Sequence, residues 1–224
     1  MMKKGLVMEG GAMRGMFTAG VIDVMMEHQI TFDGAMGVSA GAVFGCNYKS
    51  NQPGRVIRYN AAYCNKPQYA GLRTFLKTGD MFGEQFCYHD IPEHLDPFDY
   101  ETYRKNPMDF YVVVTDAKTG KALYKKVDRC DKKEMEWMRA SASMPIVSKP
   151  VCGFDKTVVV LTQPRDYVKK KNQLMPLAKV SLRRYPAMID AMEHRHEHYN
   201  EELEYIREKE ERGELFVIRP PKKI

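Results

Sequence analysis

Long apolar runs are missing from this 224-residue sequence, and no stretch approaches the roughly 18 to 20 residues of a membrane-spanning helix. A secretory signal is missing too. Met1-Met2-Lys3-Lys4-Gly5-Leu6 leads straight into a core strand with no h-region or small-residue cleavage site, so a cytoplasmic protein is expected. Cysteine is sparse: Cys46, Cys64, Cys87, Cys130 and Cys152 are odd in number, scattered, and contain no Cys-x-x-Cys pair. That pattern disfavours both a disulfide framework and a structural zinc. A strong charge of one sign is also lacking. The net charge of +6 is spread through connectors, with local concentrations at Lys169-Lys170-Lys171 and Pro220-Pro221-Lys222-Lys223. Such runs read as solvated surface, with peripheral contact to an anionic membrane as the functional alternative. No nucleic-acid-binding motif accompanies them, so no nucleic-acid partner is expected.

What is present suits one α/β domain with a sizeable core, since 29% of the residues are charged, as in ordinary soluble proteins. The most informative stretch is Gly37-Val38-Ser39-Ala40-Gly41. Thr31 to Val38 reads as a short apolar strand and Ala40 to Cys46 as the start of a buried helix, which puts Ser39 on the turn between them. The flanking glycines let backbone approach the serine where a Cβ would clash. The helix N-terminus directs unpaired N–H groups and its positive dipole end toward charge developing beside Ser39. A second glycine cluster lies nearer the N-terminus. Lys4 to Met8 reads as a strand, Glu9-Gly10-Gly11-Ala12-Met13-Arg14-Gly15 as a loop, and Met16 to Met26 as a packed helix by its apolar spacing. A glycine loop beside a serine elbow supplies what acyl transfer needs, free backbone N–H groups for the oxyanion of a tetrahedral intermediate.

At these residues the sequence resembles the patatin-like phospholipase family, in its bacterial branch. Gly10 to Gly15 is similar to the family's oxyanion loop, with Ala12 where the family usually has a third glycine. Gly37 to Gly41 matches the family's G-x-S-x-G. Ala140-Ser141-Ala142-Ser143-Met144-Pro145 resembles its A-S-x-x-x-P helix end, and Val158 to Thr162 a late core strand. The resemblance implies a three-layer α/β/α fold with a mainly parallel central sheet and a lipid ester substrate, hydrolysed as by a phospholipase or lysophospholipase. It implies Ser39 as nucleophile, backbone N–H groups of Gly10, Gly11, Ala12 and Met13 as oxyanion hole, and Gly37 and Gly41 as the elbow. Arg14 is expected to anchor the loop through a carboxylate or carbonyl contact. No metal or organic cofactor is implied. One domain over residues 1–224 is expected, with 51–107 covering the pocket and 186–224 forming a terminal helix plus strand.

One family element is absent. The dyad aspartate belongs in a D-G-G or D-G-A motif after the A-S-x-x-x-P segment, and none follows Pro145. The sole Asp-Gly pair, Asp33-Gly34, lies upstream of Ser39. If Ile146 to Val151 and Thr157 to Leu161 are both strands of a parallel sheet, the connection between them is too short, since such a crossover needs about a dozen residues. A segment is therefore expected to be lost between Val151 and Cys152, through a real deletion or a loop omitted from the sequence. An intact mass of 25.9 kDa would exclude the second. A chain without its base is expected to survive as a lipid-binding or partner-binding scaffold.

The remaining residues carry weaker signals. Phe75, Phe82, Phe86 and Phe98 read as core, and Arg55 to Tyr63 as a helix. Asp109 to Asp116 is a strong strand with Ala122 to Tyr124 as hairpin partner, and Asp116 reads as a turn cap rather than a surrogate base. Pro186 to Gly213 is one long helix by the spacing of Met188, Met192, Tyr199, Leu203 and Ile206. On it His196 reads as a packing residue, while His194 and His198, four apart, lack a third metal ligand. Glu214 to Pro220 closes the chain as a strand. Two rival readings use other residues. In a Ser–His–acid hydrolase His194 is the base, but Ser39 comes too early for that fold. In a dinucleotide-binding domain Asp33 is the ribose acid, but it precedes its strand.

Overall fold

The computed structural model describes residues 3–71, 74, 82–116, 118–143, 156–173 and 175–222. Alternation of β-branched and apolar residues with helical spacing produces a regular α/β order. Strand β1 (Lys4–Met8) leads through a 3-10 turn (Ala12–Gly15) into α1 (Met16–Glu27), then β2 (Gly34–Val38), α2 (Ala40–Lys49) and α3 (Arg55–Tyr63). A wide π-type helix (Phe86–Leu95) precedes α4 (Tyr100–Lys105), β3 (Asp109–Thr115), β4 (Ala122–Lys126) and α5 (Lys132–Ser143). The chain ends with β5 (Lys156–Val160), α6 (Met175–Ser181), α7 (Pro186–Glu211) and β6 (Leu215–Ile218).

Six strands form one sheet in the order β4-β3-β2-β1-β5-β6. All pairs are parallel except β3–β4, whose short hairpin lies at one edge. Side chains alternate across it, as the pleat requires. Leu6, Met8, Phe110, Val112 and Val160 pack on one face with Ile22 of α1, Ala42 of α2 and Met138 of α5. Val7, Val159 and Val217 face the other way and pack under Tyr199, Leu203 and Ile206 of α7. Helices thus cover both faces in a patatin-like three-layer α/β/α fold with a mainly parallel sheet. The expected strands, helices and hairpin lie where periodicity puts them, except that the strand expected from Thr31 begins at Gly34. The proposed strand Ile146–Val151, the Val151–Cys152 junction, Met144-Pro145 and Phe75 fall outside the described residues.

Among the described residues no helix is long and apolar enough to cross a membrane. Cys46, Cys64, Cys87 and Cys130 are free thiols, and Cys152 lies outside the description.

Candidate active site

Parallel strands bring their C-terminal ends to one edge of the sheet, and both glycine-rich turns emerge there. Ser39 follows β2 at φ 53°, ψ −120°, a positive-φ backbone that non-glycine residues rarely hold without a functional reason. Its carbonyl accepts the first helical bonds of α2, from Ala42 N at 2.9 Å and Val43 N at 3.0 Å. The turn is tight enough to demand glycine. A Cβ on Gly37 would lie 2.3 Å from Gly41 O, and one on Gly41 2.2 Å from Met8 O. Gly10 closes against the serine from the other side, where a Cβ would stand 2.9 Å from Ser39 Cβ.

The elbow is also pinned from α5. Ser39 N donates to Ser141 Oγ at 2.8 Å, and Ser141 Oγ donates onward to Val113 O at 2.7 Å. This is the serine of the A-S-x-x-x-P match, and it ties α5, β3 and the elbow together. In the glycine loop, Arg14 N closes on Gly11 O at 3.1 Å. Ahead of it, the N–H groups of Gly10, Gly11 and Ala12 have no hydrogen-bond partner among the described residues, and Ala12 sits at φ 48°. Met13 is exposed at the loop's tip.

Ser39 stands between two cavities. The first is walled by Val43, Phe44, Tyr59, Tyr69, Phe82 and Ile91 among others. The second runs from the serine and glycine loop to Gln163, Lys169, Arg195 and Tyr199. Glu9 lies in its wall with both oxygens engaged. One accepts from Thr162 N and from Thr162 Oγ1 at 2.9 Å, the other from the Tyr199 hydroxyl. Burial, with the Glu9 charge beside it, pushes the Tyr199 phenol far up and keeps it a donor.

Arg14, expected to anchor the loop, has its Nε buried without a hydrogen-bond partner at the second cavity. Lys169 is not solvated surface like Lys170. Its backbone exchanges hydrogen bonds with the Asn200 side chain at 2.8 and 3.0 Å, and its ammonium lies 4.7 Å from the centre of the Tyr199 ring. Burial, then Arg195 and Arg14, bring its pKa down to about 8. Burial likewise lowers that of Arg195. Neither residue carries a sequence signal for this role beyond the alternation of inward Tyr167 and Lys169 with outward Val168 and Lys170.

Other candidates fall away from the serine. Asp116 Oδ1 accepts from Lys118 N at 2.8 Å and Thr119 N at 3.0 Å, a turn cap whose backbone bonds hold its pKa low. Asp33 accepts from Lys4 N at 2.7 Å, at the strand ends opposite the glycine loop, where no ribose bound at that loop reaches. His194 is exposed, with Nδ1 3.0 Å from Asp190 O, and His198 lies beside Glu201. Glu84, His89 and Glu136 do cluster, but Arg139 pairs with both carboxylates. Among the described residues no carboxylate is hydrogen-bonded to Ser39 Oγ, and the segment expected to hold the dyad aspartate lies outside them.

Known proteins share parts of this sequence. The chain is 39% identical over 77 residues to the uncharacterized protein YjjU of Escherichia coli (strain K12). That match covers 34% of the chain and 22% of the relative, so the chain spans about a fifth of that protein's length in the match. Residues 185–224 match a domain of unknown function, DUF6363. Residues 6–158, more than half the sequence and both glycine-rich turns with it, match patatin-like phospholipase, and the chain belongs to that family.

Proposed function

We propose that the chain is a serine acyl hydrolase acting on lipid esters, with Ser39 as its nucleophile. The observation that carries this reading is the strained serine on a glycine-bounded turn, open to an apolar cavity on one side and to unpaired backbone N–H groups on the other. In the reaction the Ser39 hydroxyl gives its proton to a general base and its oxygen attacks the ester carbonyl. The N–H groups of Gly10 to Met13 then hold the oxyanion. Collapse expels the alcohol, and water releases the acyl group from Ser39. The acyl chain occupies the apolar cavity, whose far walls come from residues 51–107. Arg14 does no bond-making.

A second reading keeps the same fold as a lipid-binding or partner-binding scaffold. It is favoured by the want of a carboxylate on Ser39 Oγ among the described residues, and by the missing D-G-G or D-G-A motif after Pro145. One experiment separates the two. A fluorophosphonate probe should label the protein, Ser39→Ala should abolish labelling and short-chain ester hydrolysis, and the substituted protein should keep its melting temperature. Absence of labelling in folded protein would leave the scaffold reading.

A further inference from the structure

The cavity on the polar side of Ser39 is cationic in a way that hydrolysis of a neutral ester does not require. Arg14 comes from the turn after β1, Lys169 from the connector after β5, and Arg195 from α7, so three separate segments deliver positive charge to one cavity. Among the described residues Glu9 is the one carboxylate in its wall, and both its oxygens are taken by Thr162 and Tyr199. Three cations against one carboxylate, among the described residues, leave a formal charge of two. Arg14 Nε and Arg195 Nε are buried without a hydrogen-bond partner, and so is Oε1 of the nearly fully buried Gln163. Like charges gathered in a partly buried cavity, with donors unfilled, cost stability that an anion of matching charge offsets.

The placement is built rather than incidental. Asn200 fixes the Lys169 backbone, Tyr199 stacks beneath its ammonium, and Tyr199 in turn ties α7 to Glu9 at the root of the glycine loop. We infer that this cavity is an anion subsite, formed jointly by the N-terminal glycine loop and the C-terminal helix, that takes the phosphate of an acyl ester bearing a phosphomonoester headgroup. The charge balance of the described wall points to that class. A phosphomonoester dianion cancels the surplus of two, a carboxylate or phosphodiester cancels half of it, and the forked guanidinium donors suit phosphate oxygens. With the acyl chain in the apolar cavity, the ester bond of such a molecule lies over Ser39, where the two cavities meet. The inference rests on the acyl-hydrolase reading for the ester but not for the phosphate. It also gives residues 185–224 a role: the segment supplies one wall of the site.

The test therefore reads binding first, on full-length Ser39→Ala protein. Calorimetry with glycerol 3-phosphate should show saturable binding, with glycerol inert. Arg195→Gln and Lys169→Gln should each weaken it about tenfold or more, the loss expected for one charged hydrogen-bonding partner. Arg212→Gln, the same charge change at an exposed site just past the end of α7, should leave it unchanged. Wild-type protein should then cleave a short-chain monoacylglycerol phosphate at least tenfold faster than the matching monoacylglycerol, and Arg195→Gln should erase that preference. No binding of glycerol 3-phosphate, or equal weakening by Arg212→Gln, overturns the subsite. Tight binding of inorganic phosphate without preference for the phosphorylated ester overturns the headgroup assignment. If phosphate binds as expected and neither ester is cleaved, the hydrolase reading fails while the subsite stands.

Discussion

Ser39 and Ala12 are the residues on which backbone conformation and chemistry meet. Both hold positive φ without being glycine, Ser39 at 53° and Ala12 at 48°. For Ser39 the conformation presents the hydroxyl, so strain there is part of the site. For Ala12 no such gain exists, because the loop's chemistry is carried by N–H groups that glycine supplies equally. A left-handed alanine costs about 1–2 kcal/mol, and glycine returns part of that through its freer unfolded chain. Ala12→Gly should therefore stabilise the protein by about 0.5–1 kcal/mol without loss of Ser39 labelling, as read by urea unfolding. Destabilisation would mean that the alanine methyl makes a packing contribution. These positions were legible in the sequence because their constraints are local: a glycine needed for close approach leaves its mark in the next few residues. Lys169 and Arg195 were not legible. A lysine beside two other lysines looks the same whether it faces water or a cavity, and the packing of α7 onto the sheet decides which.

Elements were read more completely than long-range contacts, since period-2 and period-3.6 patterns survive in a single sequence. Strand β1 and helix α3 have the expected bounds, and α7 and β6 differ by a residue or two at their ends. Such patterns do not say which element holds another in place. The bond from Ser39 N through Ser141 Oγ to Val113 O joins α5 to the elbow across 102 residues of sequence. In the sequence Ser141 is one small residue in an alternation of alanine and serine. It is fully enclosed, so Ser141→Ala takes the acceptor from Ser39 N and one donor from Val113 O. The expected cost is about 1–3 kcal/mol. Labelling should slow with it, because the elbow loses the tie that fixes its backbone. Full labelling rate at reduced stability would show that the bond serves the fold alone.

At the scale of the whole molecule, the C-terminal helix links stability, charge and ligand. Tyr199, Leu203 and Ile206 cover one sheet face while Arg195 and the Asn200-held Lys169 crowd positive charge behind Ser39. Lys169 faces Glu9 after β1, Arg14 on the 3-10 turn, and Arg195 and Tyr199 on α7. Burial and the two arginines take it from 10.5 to about 8 in the folded chain. The unfolded chain thus binds more protons between these values, so the contribution of Lys169 to stability rises with pH across that window. Below about pH 8 the charged ammonium costs the full penalty, which is relieved as pH climbs toward 10.5. Water at the cavity mouth trims the effect to about 1 kcal/mol, or roughly 2–4 °C of melting temperature for a chain of this size. Other groups titrate in this range, so the difference between wild type and Lys169→Met isolates the lysine. The variant should melt higher near pH 7, and the gap should close by pH 10. Protection by glycerol 3-phosphate should run the opposite way, strong at pH 7 where the ammonium is charged and weaker by pH 9.5. A difference in melting temperature that stays flat with pH would mean that Lys169 titrates as a solvated lysine, and that the cationic wall rests on Arg14 and Arg195 alone.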